Sequence, residues 1–231
     1  RVSSQCWKRY VRLALRDMGV KIGMRTKKVE ELLVKEFIRR DLDSEKAREC
    51  ATAIATELVD NTLLFISGSE LVAFVDYAIK NELDKSKLQA KELARIAKKT
   101  INSAIDALDI ALFGRMVARA WEMQVQAAAS FAHALSTHRV SNEVEFFTAL
   151  DDLNEDPKSA HMGNVEFNSA TYYRYVSLDT NQLRQTLGDI SLGDAVEHFT
   201  KALFVAVPAA RQTTQSGASP WEFARIVVRS V

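Results

Sequence analysis

"SFAHALSTHRVSNEVEFFTALDDL", residues 130–153, is the stretch on which the fold turns. Phe131, His133, Leu135 and Thr137 alternate with Ala132, Ala134 and Ser136, the period of two expected of a strand, although the alanines alone favour helix. The spacing predicts a strand over residues 130–138, and one interpretation of the whole stretch is a polar hairpin with an aromatic tip. The competing interpretation is a metal site built on the histidines. On a helix, His133 and His138 would stand about 140° apart, and on a strand they face opposite sides. Neither arrangement converges on one ion, as zinc sites of the HExxH type must. His161 and His198 add no ligand pattern. Adjacent carboxylates such as Asp151 and Asp152 normally diverge in solvated turns rather than share a two-metal site. No GxGxxG, GxxxxGK[ST] or GxSxG string occurs, and no cysteine has a base nearby. These patterns describe a binder rather than a catalyst, with no catalytic residue, no metal and no cofactor expected.

At 231 residues and 47% apolar, the chain can bury a full core and holds one large domain, or one domain with a sizeable insertion. The longest apolar run, "ALFVAVPAA" at 202–210, contains a proline and falls well short of the roughly 20 residues of a membrane helix, so no membrane partner is expected. Cys6 and Cys50 form neither a disulfide framework nor a metal spacing, and no leader is legible, so a reducing cytoplasm is the expected address. The chain starts inside a structured segment and stops on the strand-like "FARIVVRSV", which suggests a cut at both ends. The net charge of +1 conceals an asymmetry. Residues 1–40 carry 12 Lys/Arg against 4 Asp/Glu, or +8, leaving 19 against 26, or −7, for the remainder. That is compatible with a polyanion partner or with a solvated helix face.

"QCWKRYVRLALRDMG" places Trp7, Val11, Ala14 and Met18 on one helical stripe and Lys8, Arg12 and Arg16 on another face. The preceding Ser3, Ser4 and Gln5 either cap this helix or, with Lys8 and Arg9, offer donors to an RNA backbone. From Thr26 to about Ser103 helical patterns dominate: "VEELLVKEF", "SEKARECATAIATEL", "SELVAFVDYAIKNEL" and "KLQAKELARIAKKTINSA". Ser67 and Glu70 have capping-box spacing before the third, and "LLFIS" interrupts as a short strand. "ATYYRYVSL" at 170–178 predicts a strand, "SLGDAVEHFTKALFVAV" a helix, "QTTQSGAS" at 212–219 a loop, and the segment from Trp221 a last strand. Strands alternating with helices around a helical insertion predict an α+β core.

"RVSSQCWKR", "DIALFGRM", "AHALSTH", "FFTALDDL" and "NSATYYRYVSLD" together, in this order, resemble the motifs of the CasC family, the backbone subunit of type I-E CRISPR Cascade. The resemblance covers most of the chain, while residues 28–100 are similar only in position and helical character. It implies an RRM-like, ferredoxin-type palm (1–27, 101–138 and 168–231), helical fingers (28–100) and a long thumb hairpin (139–167). It also implies a cytoplasmic homo-oligomer stacked head to tail in a helical filament along a CRISPR RNA. Other Cascade subunits are partners, and target DNA is engaged by way of the guide, in antiviral defence. By the family's pattern, Ser3, Ser4, Gln5, Lys8, Arg9 and Arg12 hold the RNA backbone. Phe146, Phe147 and Thr148 form a wedge, with Met116 and Met162 near the displaced nucleotide and His138 at the thumb's base. Rings and thioethers replace lost base stacking without reading the base, at about 1–3 kcal/mol per stacked base.

Two other functions fit parts of the sequence. A type III-like backbone subunit would cut target RNA with a loop aspartate, Asp151 or Asp152, and a helical protein-interaction module would act through residues 28–100.

Overall fold

A computed structural model describes residues 1–59, 62–101, 107–117, 119–150, 159–187, 192–210 and 221–230. Helix α1 (Ser4–Asp17) forms where the apolar spacing predicts it, but its fully buried positions are Val11 and Leu15, four apart, with Trp7, Ala14 and Met18 half-buried beside them. Strand β1 (Met24–Thr26) follows, then α2 (Val29–Ile38) and α3 (Glu45–Leu58). "LLFIS" supplies β2 (Leu64–Ile66), antiparallel to β1 with Met24 opposite Ile66.

Helix α4 (Gly68–Lys80) begins with the capping box that the spacing predicts. The Glu70 amide donates to the Ser67 hydroxyl at 3.1 Å, and the Ser67 amide donates to the Glu70 carboxylate at 2.9 Å. Both orphan donors of the helix start are thereby satisfied. Helix α5 (Ala90–Ile101) closes this group. Leu33 and Phe37 of α2, Ile54 and Leu58 of α3, Phe74 and Val75 of α4, and Leu93 and Ala97 of α5 meet in one core.

A second core gathers Val11 and Leu15 against α6 (Leu108–Phe113), every residue of which is buried. The chain then forms β3 (Ala129–Phe131), β4 (Leu135–Ser136), β5 (Glu143–Leu150), β6 (Ser159–Phe167), β7 (Tyr172–Tyr173) and β8 (Val176–Leu178). Helices α7 (Thr180–Leu187) and α8 (Leu192–Val205) return Leu183, Leu187, Ala195, Phe199 and Ala202 to the second core. Sequence periodicity did not single out α7. Its signal is Asp179, whose carboxylate accepts the amides of Asn181 and Gln182 at 2.9 and 3.0 Å, as an N-cap does.

The fold is α+β, and among the described residues its ladders are two-stranded: β1 with β2, β3 with β8, β4 with β7, and β5 with β6. Three expectations need correction. "SFAHALSTH" is not one strand but two, β3 and β4, with Ala134 between them bridging Val2. "ATYYRYVSL" is interrupted likewise, into β7 and β8. The segment from Trp221 to Ser230 forms no strand; Phe223, Ile226 and Val228 are exposed, because β propensity makes a strand only where a second strand receives its hydrogen bonds. The loop expected at 212–219 lies outside the described residues.

At the two strand interruptions the chain divides into compact units: residues 1–4 with 132–175, and residues 5–131 with 176–231. The first unit is a strand pair continued by the long hairpin, and the second holds both cores. No helix among the described residues is long and apolar enough to cross a membrane.

Candidate nucleic-acid interface

In the second unit, α1 carries the expected basic face. Arg9 is exposed, and Lys8 reaches toward Phe131, its Nζ 5.9 Å from the ring centroid. Arg12 behaves differently. Its Nε donates to Asp109 at 2.7 Å and its guanidinium to the Gly23 carbonyl at 3.0 Å, leaving the side chain 16% exposed. It is therefore an internal ion-pair partner rather than a free cation of the helix surface. Asp109 is wholly buried; burial pushes its carboxyl above the ordinary range, while the Gly23 amide at 2.8 Å and Arg12 pull it back down. The sequence signal for this pair is a lone carboxylate inside the apolar string "ALDIALF".

At the helix start, Ser3 is exposed and Ser4 is buried, both within the first unit, while Gln5 is exposed at the edge of the second. The Ser4 amide donates to His133 Nδ1 at 2.9 Å. One donor expected for phosphate is thus already taken, by the ring of a histidine that is itself exposed.

The hairpin of β5 and β6 pairs Phe146 with Asn164, Phe147 with Gly163 and Thr148 with Met162. Directly opposed residues share a face. Phe146, Thr148 and Met162 therefore stand together, joined by Val144, with Phe146 73% and Met162 67% exposed. Phe147 lies on the other face, 42% exposed, across the backbone of Gly163 and tilted against His161 at 5.9 Å between ring centroids. A Cβ at Gly163 would stand 2.8 Å from the Phe147 ring, so the glycine is what makes room for it. Of the predicted wedge, then, Phe146 and Thr148 share a surface with Met162, and Phe147 backs the hairpin. His138 is exposed, its Nδ1 3.0 Å from the Arg139 carbonyl oxygen. Asp151 and Asp152 lie outside the described residues.

"GRM" divides its labour by residue. Gly114 has φ of 76°, and a Cβ there would come within 2.9 Å of the Val125 carbonyl oxygen. Arg115 turns inward: its Nη1 lies 2.8 Å from both Glu70 carboxylate oxygens and donates to the Phe65 carbonyl at 3.1 Å, while its Nε donates to the Met123 carbonyl. Met116 is 81% exposed in the second unit. The Arg115–Glu70 pair escaped sequence reasoning, although Glu70 was legible as a capping residue. Cys6 and Cys50 are both free thiols, and no group of three or more His, Cys, Asp or Glu among the described residues could hold a metal ion.

The family model described as CT1975-like protein matches residues 1–231. One solved chain from a "CRISPR RNA-guided surveillance complex, pre-nicking" has a TM-score of 0.79 at 24% identity, with 99% of this chain and 71% of that chain covered. Another, from a "CRISPR RNA-guided surveillance complex", has a TM-score of 0.61 at 22% identity, covering 90% of this chain and 62% of that chain. Among curated proteins no match was found.

Proposed function

Because this chain belongs to the CT1975-like family, we propose that it is a CasC-like Cascade backbone protein that binds CRISPR RNA as a non-catalytic subunit of a type I-E surveillance complex. Copies stack head to tail along the guide and present it in segments to target DNA. Base pairing reads the sequence while the protein reads the backbone, a division of labour general to guided complexes. In this reading the palm is RRM-like, residues 28–100 are fingers and residues 139–167 the thumb. The structural relatives, solved in CRISPR RNA-guided surveillance complexes, support a place in such an assembly.

The observation that carries the proposal is the solvent-facing row of Phe146, Thr148 and Met162 on a hairpin none of whose described residues joins a buried core. Apolar side chains of this kind are costly to expose, and they suit unstacked bases of any identity. Ser3, Gln5, Lys8 and Arg9 supply the sequence-blind hold on sugar-phosphate, and an acidic thumb meets the positive N-terminal helix of the next copy.

Electrophoretic mobility of a random single-stranded RNA at two salt concentrations tests the proposal. Binding that weakens steeply as salt rises is expected, since phosphate contacts release counterions. Affinity indifferent to salt would overturn it. Guide-paired RNA should also survive incubation with Mg²⁺; a metal-dependent cut lost in Asp151→Ala or Asp152→Ala would establish the cleaving alternative.

A further inference from the structure

The Phe65 ring is flanked by two guanidiniums, with Arg12 Cζ 4.7 Å and Arg25 Cζ 4.5 Å from its centroid. One carboxylate, Asp109, serves them. It is committed to Arg12 and to the Gly23 amide, so one positive charge of the cluster is left without a counter-charge. That charge is on Arg25. Among the described residues the Arg25 side chain makes no hydrogen bond or ion pair; its backbone lies opposite Phe65 in the β1–β2 ladder, and the residue is exposed. Partial burial against its neighbours, with Arg12 close by, lowers the Arg25 pKa, and Asp109 opposes the shift.

Arg12 lies one turn beyond Lys8 on α1, about 6 Å along the axis and on the same face. Lys8 approaches the Phe131 ring as Arg12 and Arg25 approach Phe65. Two cation-and-ring stations therefore follow one another along the helix. The first ends in the Lys8 ammonium, the second in two guanidiniums, of which Arg12 is ion-paired and Arg25 has no side-chain hydrogen bond among the described residues.

We propose that Arg25, held against Phe65, is a phosphate-binding residue that prolongs the cationic track of α1 and takes a phosphodiester group of a bound nucleic-acid strand. The inference rests on the RNA-binding reading above and adds to it a residue that sequence motifs did not mark. A planar fork fits two phosphate oxygens at once, and a guanidinium already ordered by a ring loses less freedom on binding than a mobile side chain.

The test is the salt dependence of binding by the full chain to a short random RNA, with single-stranded DNA of equal length in parallel. Arg25→Ala is expected to weaken binding about tenfold and to flatten the plot of log K against log salt by about 0.7, the release for one single-strand phosphate. Arg25→Lys should keep the slope yet lose affinity, because charge survives and the fork does not. Equal losses on RNA and DNA assign the contact to phosphate irrespective of strand; loss on RNA alone assigns it to the guide. Wild-type binding with unchanged affinity and slope in Arg25→Ala overturns the inference and leaves the RNA-binding reading intact. Absence of nucleic-acid binding by the wild type overturns both. A polyglutamate peptide that displaces RNA from wild type and not from Arg25→Ala would show an acidic-peptide site instead, and would also overturn it.

Discussion

Arg115 and Met116 are neighbours in sequence with opposite fates, and the difference is measurable. Arg115 is buried and ion-paired with Glu70, whereas Met116 is exposed. Removing one partner of a buried pair strands the other charge, so Arg115→Ala is expected to cost about 3–5 kcal/mol in urea unfolding. Met116→Ala should stay within about 0.5 kcal/mol in the same measurement, and any effect it has should fall on RNA affinity. Gly114→Ala combines a positive φ with a clash against backbone rather than a flexible side chain, and should cost about 1–3 kcal/mol. Cys50 adds a chemical probe. Burial, with Glu49 and Asp84 nearby, holds its thiol above the ordinary value, so the thiolate that alkylating agents attack is scarce. At mildly alkaline pH, mass spectrometry after iodoacetamide treatment should find Cys50 unmodified in the folded chain and modified once urea unfolds it.

The hairpin shows how much an element can state in its own letters. Alternation along "EVEFFTAL" is enough to put Phe146 and Phe147 on opposite faces of a strand. Which face carries the apolar row depends on β6, since register sets Met162 beside Thr148 and Gly163 beside Phe147. The two phenylalanines are accordingly expected to differ. Phe146→Ala should weaken RNA binding by about 1–3 kcal/mol, or roughly 5–150-fold in a fluorescence-anisotropy titration. Phe147→Ala should act mainly on the hairpin, appearing as faster amide exchange along β5 and β6. Helices α1 to α5 were legible because a 3.6-residue period and a capping box are local signals. The divisions of "SFAHALSTH" and "ATYYRYVSL" were not, because a ladder's end is decided by its partner: β3 answers to β8 and β4 to β7.

For the molecule as a whole, the +8 balance of residues 1–40 against −7 elsewhere is expected to make RNA copurify with the protein, and Lys8→Glu to reduce the ratio of absorbance at 260 to 280 nm. The sequence by itself determined where helices α1 to α5 and α8 lie and that the basic charge is concentrated at one end; each is a matter of spacing or counting along the chain. Tertiary structure alone decided which of those charges a ligand can reach. Arg12 meets Asp109 across 97 residues and Arg115 meets Glu70 across 45. No local pattern encodes such partners, because a buried cation persists only where folding brings a carboxylate against it, and the cations left without one are those that remain to meet a phosphate.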